Sequence, residues 1–321
     1  MEEISRNLFM ITVPMPFRLK HVHVFALTHD DRITLFDTGL NTPETVSILE
    51  ESLRAIRKTV RDIKRIFITH HHIDHCGMAG RIKAISGAKI HVSDVGREVL
   101  SVRTDEAELV RLVRDFCLLH GLPESITNFV INLFLAFKTA ASPFETDRCF
   151  QADSRHVAGE TEFQAIATPG HTRDHVSYYF PKEGILLSGD HVLPEITPNL
   201  SPDLFAPDFR PLRSFLDSLT RIETLPVQKV YPAHGDPFSN LAERIEEMKS
   251  HHVIRKGLAL ESVTRGSRTT FEVSRDIFGD DLPEFDRFLA LNETYVHLVE
   301  LVHEGAVKEQ RNKNHILYDT I

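Results

Sequence analysis

The sequence has few cysteines, no long apolar run and no excess of basic residues. Its three cysteines, Cys76, Cys117 and Cys149, are scattered, so we expect no disulfide framework and a reducing compartment. The most apolar window, Phe129 to Phe137, is shorter than the roughly 20 residues that a membrane-spanning helix needs. The N-terminus lacks the basic segment and apolar stretch of a secretory signal. We therefore expect a soluble cytoplasmic protein with no membrane partner.

The charge balance argues against nucleic acid as a partner. The formal net charge is -9 over 321 residues. Nucleic acids and anionic membranes attract surfaces rich in lysine and arginine, and this chain has the opposite balance. The length is sufficient for one large domain and a small one. Nineteen histidines are a high count, which metal binding would explain in part.

A histidine-rich loop carries four candidate metal ligands within six residues. The ligands are His70, His72, Asp74 and His75, and they follow an alternating apolar run, Ile63 to Ile68, that predicts a strand. Imidazole and carboxylate groups suit zinc, manganese and iron. A solvated histidine-rich loop is the alternative, and further ligand-bearing turns downstream argue against it.

Three later turns carry more candidate ligands, each where a β-rich run ends. The ligands are His171 in Thr168-Pro169-Gly170-His171-Thr172, Asp190 in Ser188-Gly189-Asp190-His191, and His234 in Tyr231-Pro232-Ala233-His234. Glycine or proline flanks each of them and allows a sharp turn at the strand end. An earlier turn, Asp37-Thr38-Gly39, places a carboxylate that either supports a ligand or caps its own turn.

Helices dominate the middle of the chain. Strands and helices alternate before it, which is typical of an α/β layered fold. Between Asp105 and Ala141 we predict two helices, of which the second is apolar nearly all round. Such a helix is either buried in the core, part of a dimer contact, or a cap that lines an apolar pocket. Four phenylalanines of these helices are candidate substrate contacts: Phe116, Phe129, Phe134 and Phe137.

The tail, from residue 241, is predicted as three helices followed by a hairpin, a winged-helix pattern. Its third helix carries Glu284, Asp286, Glu293, Glu300 and Glu304 against Arg287. Because such a helix repels phosphate, we interpret the tail as a packing or dimerisation element and not as a DNA-binding module.

The motifs, taken in order, resemble those of the metallo-β-lactamase superfamily. His70-x-His72-x-Asp74-His75, Gly170-His171-Thr172, Gly189-Asp190-His191 and Ala233-His234-Gly235 match its metal motifs, and the branch most similar includes hydroxyacylglutathione hydrolases. The resemblance implies an α/β fold, an αββα sandwich, over residues 1–240. A helical insertion would occupy about residues 97–150, and a small winged-helix-like domain residues 241–321.

The resemblance also implies a dinuclear site for two divalent metal ions, zinc first and manganese or iron as alternatives. His70, His72 and His171 would bind one ion, Asp74, His75 and His234 the other, with Asp190 between them. Asp74 would orient the attacking water and shuttle its proton, and Asp74 and Asp190 are the candidate catalytic residues.

The expected activity is hydrolysis of carboxylic ester-type bonds, with thioesters or lactones favoured and an apolar acyl group packed against the four phenylalanines. His191, next to Asp190, either contacts this small-molecule substrate or is structural. Two enzyme alternatives belong to the same superfamily: a phosphodiesterase or nuclease, and a mononuclear iron dioxygenase of sulfur compounds. A non-catalytic regulator that binds nucleic acid through the tail is a further alternative. The amount of apolar helix suggests a homodimer.

Overall fold

The computed structural model describes residues 1–16, 18–102 and 105–321. Its strands are β1 (Glu2–Ser5), β2 (Leu8–Pro14), β3 (His21–His29), β4 (Arg32–Phe36), β5 (Ile63–Phe67), β6 (Lys89–Ser93), β7 (Arg148–Phe150), β8 (Ser154–Ala158), β9 (Thr161–Ala167), β10 (Val176–Phe180), β11 (Ile185–Gly189), β12 (Lys229–Pro232), β13 (Val307–Arg311) and β14 (Ile316–Thr320). Its α-helices are α1 (Pro43–Ala55), α2 (Ile73–Cys76), α3 (Ala79–Ser86), α4 (Asp94–Val102), α5 (Glu106–Leu119), α6 (Glu124–Lys138), α7 (Pro211–Glu223), α8 (Leu241–Thr264), α9 (Thr270–Phe278) and α10 (Glu284–His303).

Two sheets stack face to face on an aromatic core. The larger sheet has the strand order β1-β2-β3-β4-β5-β6-β7, and the smaller one β12-β11-β10-β9-β8. Alternate residues of each strand point into the space between the sheets. Phe36 lies at the centre of this space, and the ring centroids of Phe67, Phe163, Tyr178 and Phe180 are 4.9 to 5.8 Å from its own. This core fixes the stacking of the sheets.

Helices cover the outer face of each sheet. Leu49 and Leu53 of α1 and Ile82 of α3 are buried against the larger sheet. Phe215 of α7 and Ile245 of α8 are buried against the smaller one. The start of α1 follows the sequence closely, because the Thr42 side chain accepts a hydrogen bond from the amide of Thr45 and Pro43 occupies the first turn. The four layers confirm the predicted αββα sandwich.

The apolar helices α5 and α6 pack against the tail. Val113 and Phe116 of α5 and Val130 of α6 share one buried cluster with Phe288 and Leu291 of α10. The tail therefore covers much of the apolar surface that the sequence left without a partner. The boundaries of the predicted insertion and the division at residue 240 stay predictions.

The tail contains the predicted three helices and hairpin. In the hairpin, β13 pairs antiparallel with β14 from Val307 opposite Thr320 to Arg311 opposite Ile316. Tyr318 of β14 is fully buried in a cluster with Val263 of α8. Among the described residues, no helix is long and apolar enough to cross a membrane. The winged-helix designation stays a prediction.

Strand direction brings the candidate ligands to one edge of the sandwich. In the larger sheet β4, β5 and β6 are parallel, so the loops that follow β4 and β5 lie side by side. In the smaller sheet β11 and β12 are parallel, and Asp190 and His234 follow their carboxyl ends. The turn between β9 and β10 carries His171 to the same edge.

Candidate metal centre

All seven predicted ligands meet in two adjacent groups. His70, His72, His171 and Asp190 form one group, and Asp74, His75 and His234 form the other. Inside each group the ligand atoms lie within 4.8 Å of one another. The resemblance to the superfamily implied the same division of the six other ligands, with Asp190 between the two groups.

Asp190 lies between the two groups and directs one oxygen at each. Its Oδ2 is 3.4 Å from His171 Nε2 and 4.0 Å from His70 Nε2. Its Oδ1 is 3.3 Å from the Nε2 atoms of both His75 and His234. A carboxylate in this position compensates charge on both sides, which is what two neighbouring dications require.

The donor set fits metal ions. The Nε2 atoms of His70, His75 and His234 and Oδ1 of Asp190 are buried and have no hydrogen-bond partner among the described residues. Buried polar atoms are normally hydrogen-bonded, so four such atoms facing one volume indicate that another partner belongs there. Imidazole nitrogen and carboxylate oxygen are ligands that zinc, manganese and iron accept.

Hydrogen bonds to Nδ1 orient the histidines that present Nε2. His171 Nδ1 donates to the carbonyl of Asn199 at 2.8 Å, and His234 Nδ1 to the carbonyl of His21 at 2.7 Å. His70 Nδ1 lies 3.0 Å from Thr69 Oγ1, whose own proton goes to Asp37. Because these hydrogen bonds place a proton on each Nδ1, Nε2 is the nitrogen that each ring presents to a metal ion.

Asp37 holds the loop that follows β5, which carries four of the ligands, by hydrogen bonds. Its Oδ1 accepts from the Thr69 amide at 2.8 Å, and its Oδ2 accepts from Thr69 Oγ1 at 2.7 Å and from His75 Nδ1 at 2.8 Å. The side chain is 3% exposed. Of the two roles that the sequence left open, contact with a ligand is the one that the structure shows.

His175, which the sequence analysis did not select, braces the turn that carries Asp190. The Asp190 amide donates to His175 Nε2 at 3.1 Å, so Nδ1 carries the proton and donates to Thr168 Oγ1 at 2.8 Å. Gly189 has φ +55°, and a Cβ there would lie 2.6 Å from His175 Nε2. Burial and the neighbouring His171 lower the pKa of His175 to about 3, which keeps the ring neutral. In the sequence, the feature that could have drawn attention to His175 is its position four residues after the predicted ligand His171.

A family model for the metallo-beta-lactamase superfamily matches residues 18–234. The chain belongs to this superfamily. The probable metallo-hydrolase YqjP of Bacillus subtilis is 28% identical, over 99% of this chain and 99% of its own length. The crystal structure of a metallo-beta-lactamase family protein from Thermus thermophilus matches with a TM-score of 0.86 and 28% identity, over 99% of this chain and 100% of that one. An atrochrysone carboxyl ACP thioesterase of Passalora fulva is 24% identical, over 87% of this chain and 69% of its own length.

These likenesses confirm the predicted superfamily and fold. Together with the cluster of histidines and aspartates, they indicate that the chain is a metal-dependent hydrolase. The substrate, the number of metal ions and their identity belong to the proposal below.

The two groups of candidate metal ligands differ in the pKa values of their histidines. Burial lowers the pKa of His70 well below its ordinary value, and His75 and His72 lower it further. Burial also opposes a charge on His234, but Asp190 outweighs it and raises the pKa of His234 to about 10. The carboxylates of Asp190, Asp74 and Asp37 likewise overcome burial and raise the pKa of His75. At neutral pH the metal-free protein therefore has protonated histidines in the group of Asp74, His75 and His234, and a neutral His70 in the other group.

We expect this difference to appear as proton release when metal ions bind. A pKa raised above 7 means that His234 is protonated at pH 7, so a metal ion must displace that proton, and affinity rises with pH up to about 10. His70 and His72, whose pKa values are lowered, have no proton to release. Calorimetric titration with zinc at pH 7, in buffers of different ionisation enthalpy, should show greater proton release for the group of Asp74, His75 and His234 than for the group of His70, His72 and His171. Equal proton release at both steps would contradict this assignment.

The remaining predicted site residues lie outside the ligand cluster. His191 is fully buried, and its ring centroid lies 5.0 Å from that of Phe215, which favours the structural alternative. Phe116 is buried in the cluster with α10, and the Phe134 ring is 5.7 Å from that of Phe288. Phe129 is 42% exposed. Phe137 is partly buried on α6. Substrate contact by these residues stays a prediction.

Proposed function

We propose that this protein is a dinuclear metal-dependent hydrolase of carboxylic ester-type bonds, with thioesters or lactones favoured and an apolar acyl group. The observation that carries the proposal is the position of Asp190, whose two oxygens face the two ligand groups. Zinc is the favoured metal, and manganese or iron suits the same ligands. Two such ions, when bound, supply an activated water at neutral pH and polarise a carbonyl oxygen.

In this proposal Asp74 orients the attacking water molecule. Its side chain is 17% exposed against 9% for Asp190, so it reaches the solvent side of the cluster. Burial raises the pKa of Asp74, but His75 and His234 outweigh it and lower that pKa to about 2. The carboxylate is therefore ionised at neutral pH, where it can orient a water molecule by accepting its hydrogen bond.

The thioester preference is supported by the relative that is named an ACP thioesterase. A phosphodiester substrate is disfavoured because the chain has a net charge of -9 and α10 presents acidic side chains at its first turn, Glu284 and Asp286. A small-molecule acyl compound is accordingly the proposed partner.

A substrate panel combined with metal analysis tests the proposal. The protein, reconstituted with zinc, manganese or iron, is assayed on aryl esters, acyl thioesters, lactones and a phosphodiester, with oxygen uptake followed in parallel. We expect two metal ions per chain and the highest kcat/KM on an ester-type substrate. One iron per chain with oxygen consumption would favour the dioxygenase, and faster cleavage of the phosphodiester would favour the nuclease.

Acyl-chain length tests the apolar part of the proposal. Each methylene buried against the helices stabilises by about 0.8 kcal/mol, so kcat/KM should rise about fourfold per added carbon until the pocket is full. Phe129→Ser should flatten this profile, because Phe129 offers exposed apolar surface on α6. Val253→Ser, at a residue 67% exposed on α8, is the matched control and should leave the profile unchanged. A flat profile in the unaltered protein would mean that α5 and α6 serve only packing.

A further inference from the structure

The loop between β11 and α7 connects a metal ligand to the C-terminal tail. The backbone carbonyl of Asn199 accepts the hydrogen bond of His171 Nδ1 at 2.8 Å. The side-chain amide of the same residue donates to the carbonyl of Leu289, in α10, at 2.9 Å. Ser201 Oγ donates to Asn199 Oδ1 at 3.0 Å and fixes the orientation of the amide. One residue thus touches both the ligand and the tail.

Two more contacts hold this loop in the same place. Leu204 packs in the apolar cluster that contains Phe288 and Leu291 of α10. Asp203 forms an ion pair at 3.1 Å with Arg173, which stands two residues after His171. The loop is therefore fixed to α10 on one side and to the ligand turn on the other.

His171 differs in this respect from the other ligands whose Nδ1 is bonded. The partners of His70 and His75 are Thr69 and Asp37, in the loops of the larger sheet. The partner of His234 is the carbonyl of His21, at the start of β3. Among the described residues, His171 is the ligand whose Nδ1 partner is itself anchored to the tail.

We propose that α10 positions His171 through Asn199, so that the tail is a working part of the metal centre. This inference rests on the proposed metal site. The Asn199 carbonyl fixes both the tautomer and the ring plane of His171, and its own position depends on the hydrogen bond to Leu289. Groups that orient a ligand histidine in this way typically change metal affinity by about 10- to 100-fold when they are removed. Asn199 is a positioning residue, since its side chain acts on the ligand through the backbone.

The test compares variants that break different links between the tail and the sandwich. Asn199→Ala removes the amide that holds Leu289, and Asn199→Asp keeps the shape but loses the donor. Glu300→Gln is the matched control, because it breaks the ion pair between α10 and Arg210, at the start of α7, without touching a ligand. Each full-length protein is titrated with zinc and with cobalt(II), whose visible spectrum reports ligand geometry, and its melting temperature is measured.

We expect both Asn199 variants to bind metal more weakly, by up to about 10-fold, in the group that contains His171, with an altered cobalt spectrum, because the carbonyl that bonds His171 stays but loses its anchor. The group formed by Asp74, His75 and His234 should keep its affinity. Glu300→Gln should lower the melting temperature but leave both affinities and the spectrum unchanged. Unaltered metal binding in the Asn199 variants would overturn the inference. An equal loss of metal affinity in Glu300→Gln would also overturn it, because any weakening of the contact between the tail and the sandwich would then have the same effect. If the unaltered protein bound no metal, the proposed function itself would fail.

Discussion

Replacing Asp190 by Asn is expected to reduce turnover more than about 100-fold and to lower the metal content of the protein. Asn has almost the same shape but no charge. Asp190 places one oxygen 3.3 Å from His75 and His234 and the other 3.4 Å from His171. Without its negative charge, two dications at this site would repel each other with nothing between them to compensate. Metal content by elemental analysis and kcat/KM on the best ester substrate give the measurement.

Asp217→Asn is the control for Asp190→Asn. Asp217 undergoes the same chemical change on α7, where it is 61% exposed and pairs with Arg213. An exposed pair of this kind contributes at most about 1 kcal/mol, so metal content and turnover should not change. An Asp190→Asn protein that kept both metal ions and full turnover would refute the role of Asp190 between the two groups.

Asp37→Ala is expected to lower zinc affinity in the group of Asp74, His75 and His234 by about 10- to 100-fold. The carboxylate holds His75 Nδ1 and two donors of Thr69 while it is 3% exposed. Its removal leaves these three donors unsatisfied, and each such donor costs about 1–3 kcal/mol. The free energy of unfolding of the metal-free protein should therefore fall by several kcal/mol. Chemical denaturation and zinc competition titration measure the two effects.

Asp62→Ala separates turn capping from ligand support. The Asp62 carboxylate accepts hydrogen bonds from the amide and hydroxyl of Thr59, as Asp37 does from Thr69, but in an exposed 3-10 turn. This variant should lose about 1 kcal/mol of stability and no zinc affinity. Wild-type zinc binding in Asp37→Ala would show that Asp37 merely caps its turn.

The ligands could be predicted from the sequence because each follows the end of a strand, and a glycine stands next to His171, Asp190 and His234. His70 to His75 follow β5, and Asp190 and His234 follow β11 and β12. Parallel strand pairs bring such ends together. That these turns form one site was implied by the resemblance to the superfamily and not by the local pattern. The hairpin of the tail is an equally local feature, and it was predicted.

Features that depend on long-range packing were not predicted. Helix α7 is amphipathic, with Leu212, Phe215 and Leu219 buried, but no motif drew attention to it. The short edge strands β7 and β8 have little periodicity of their own and exist through their pairing with β6 and β9. The role of Asn199 depends on a contact with Leu289, 90 residues away in the sequence. Contacts at such separation leave no signal in the local pattern.

The role of α5 and α6 also depends on long-range packing, so the sequence did not decide it. The apolar surface of α6 indicated that something covers it, and the sequence could not decide between a core, a dimer and a ligand. The structure shows that α10 covers Val130 and Phe134, while Phe129 stays exposed. One face of α6 therefore packs against α10, and the exposed face is where the proposed contact with an acyl group would have to lie.

The most direct test of the central claim is to locate the metal ions in crystals of the zinc-loaded protein by anomalous diffraction at the zinc edge. Two peaks should appear, one among His70, His72 and His171 and the other among Asp74, His75 and His234, with Asp190 next to both. No peak in this cluster, or zinc bound only elsewhere on the protein, would contradict the account.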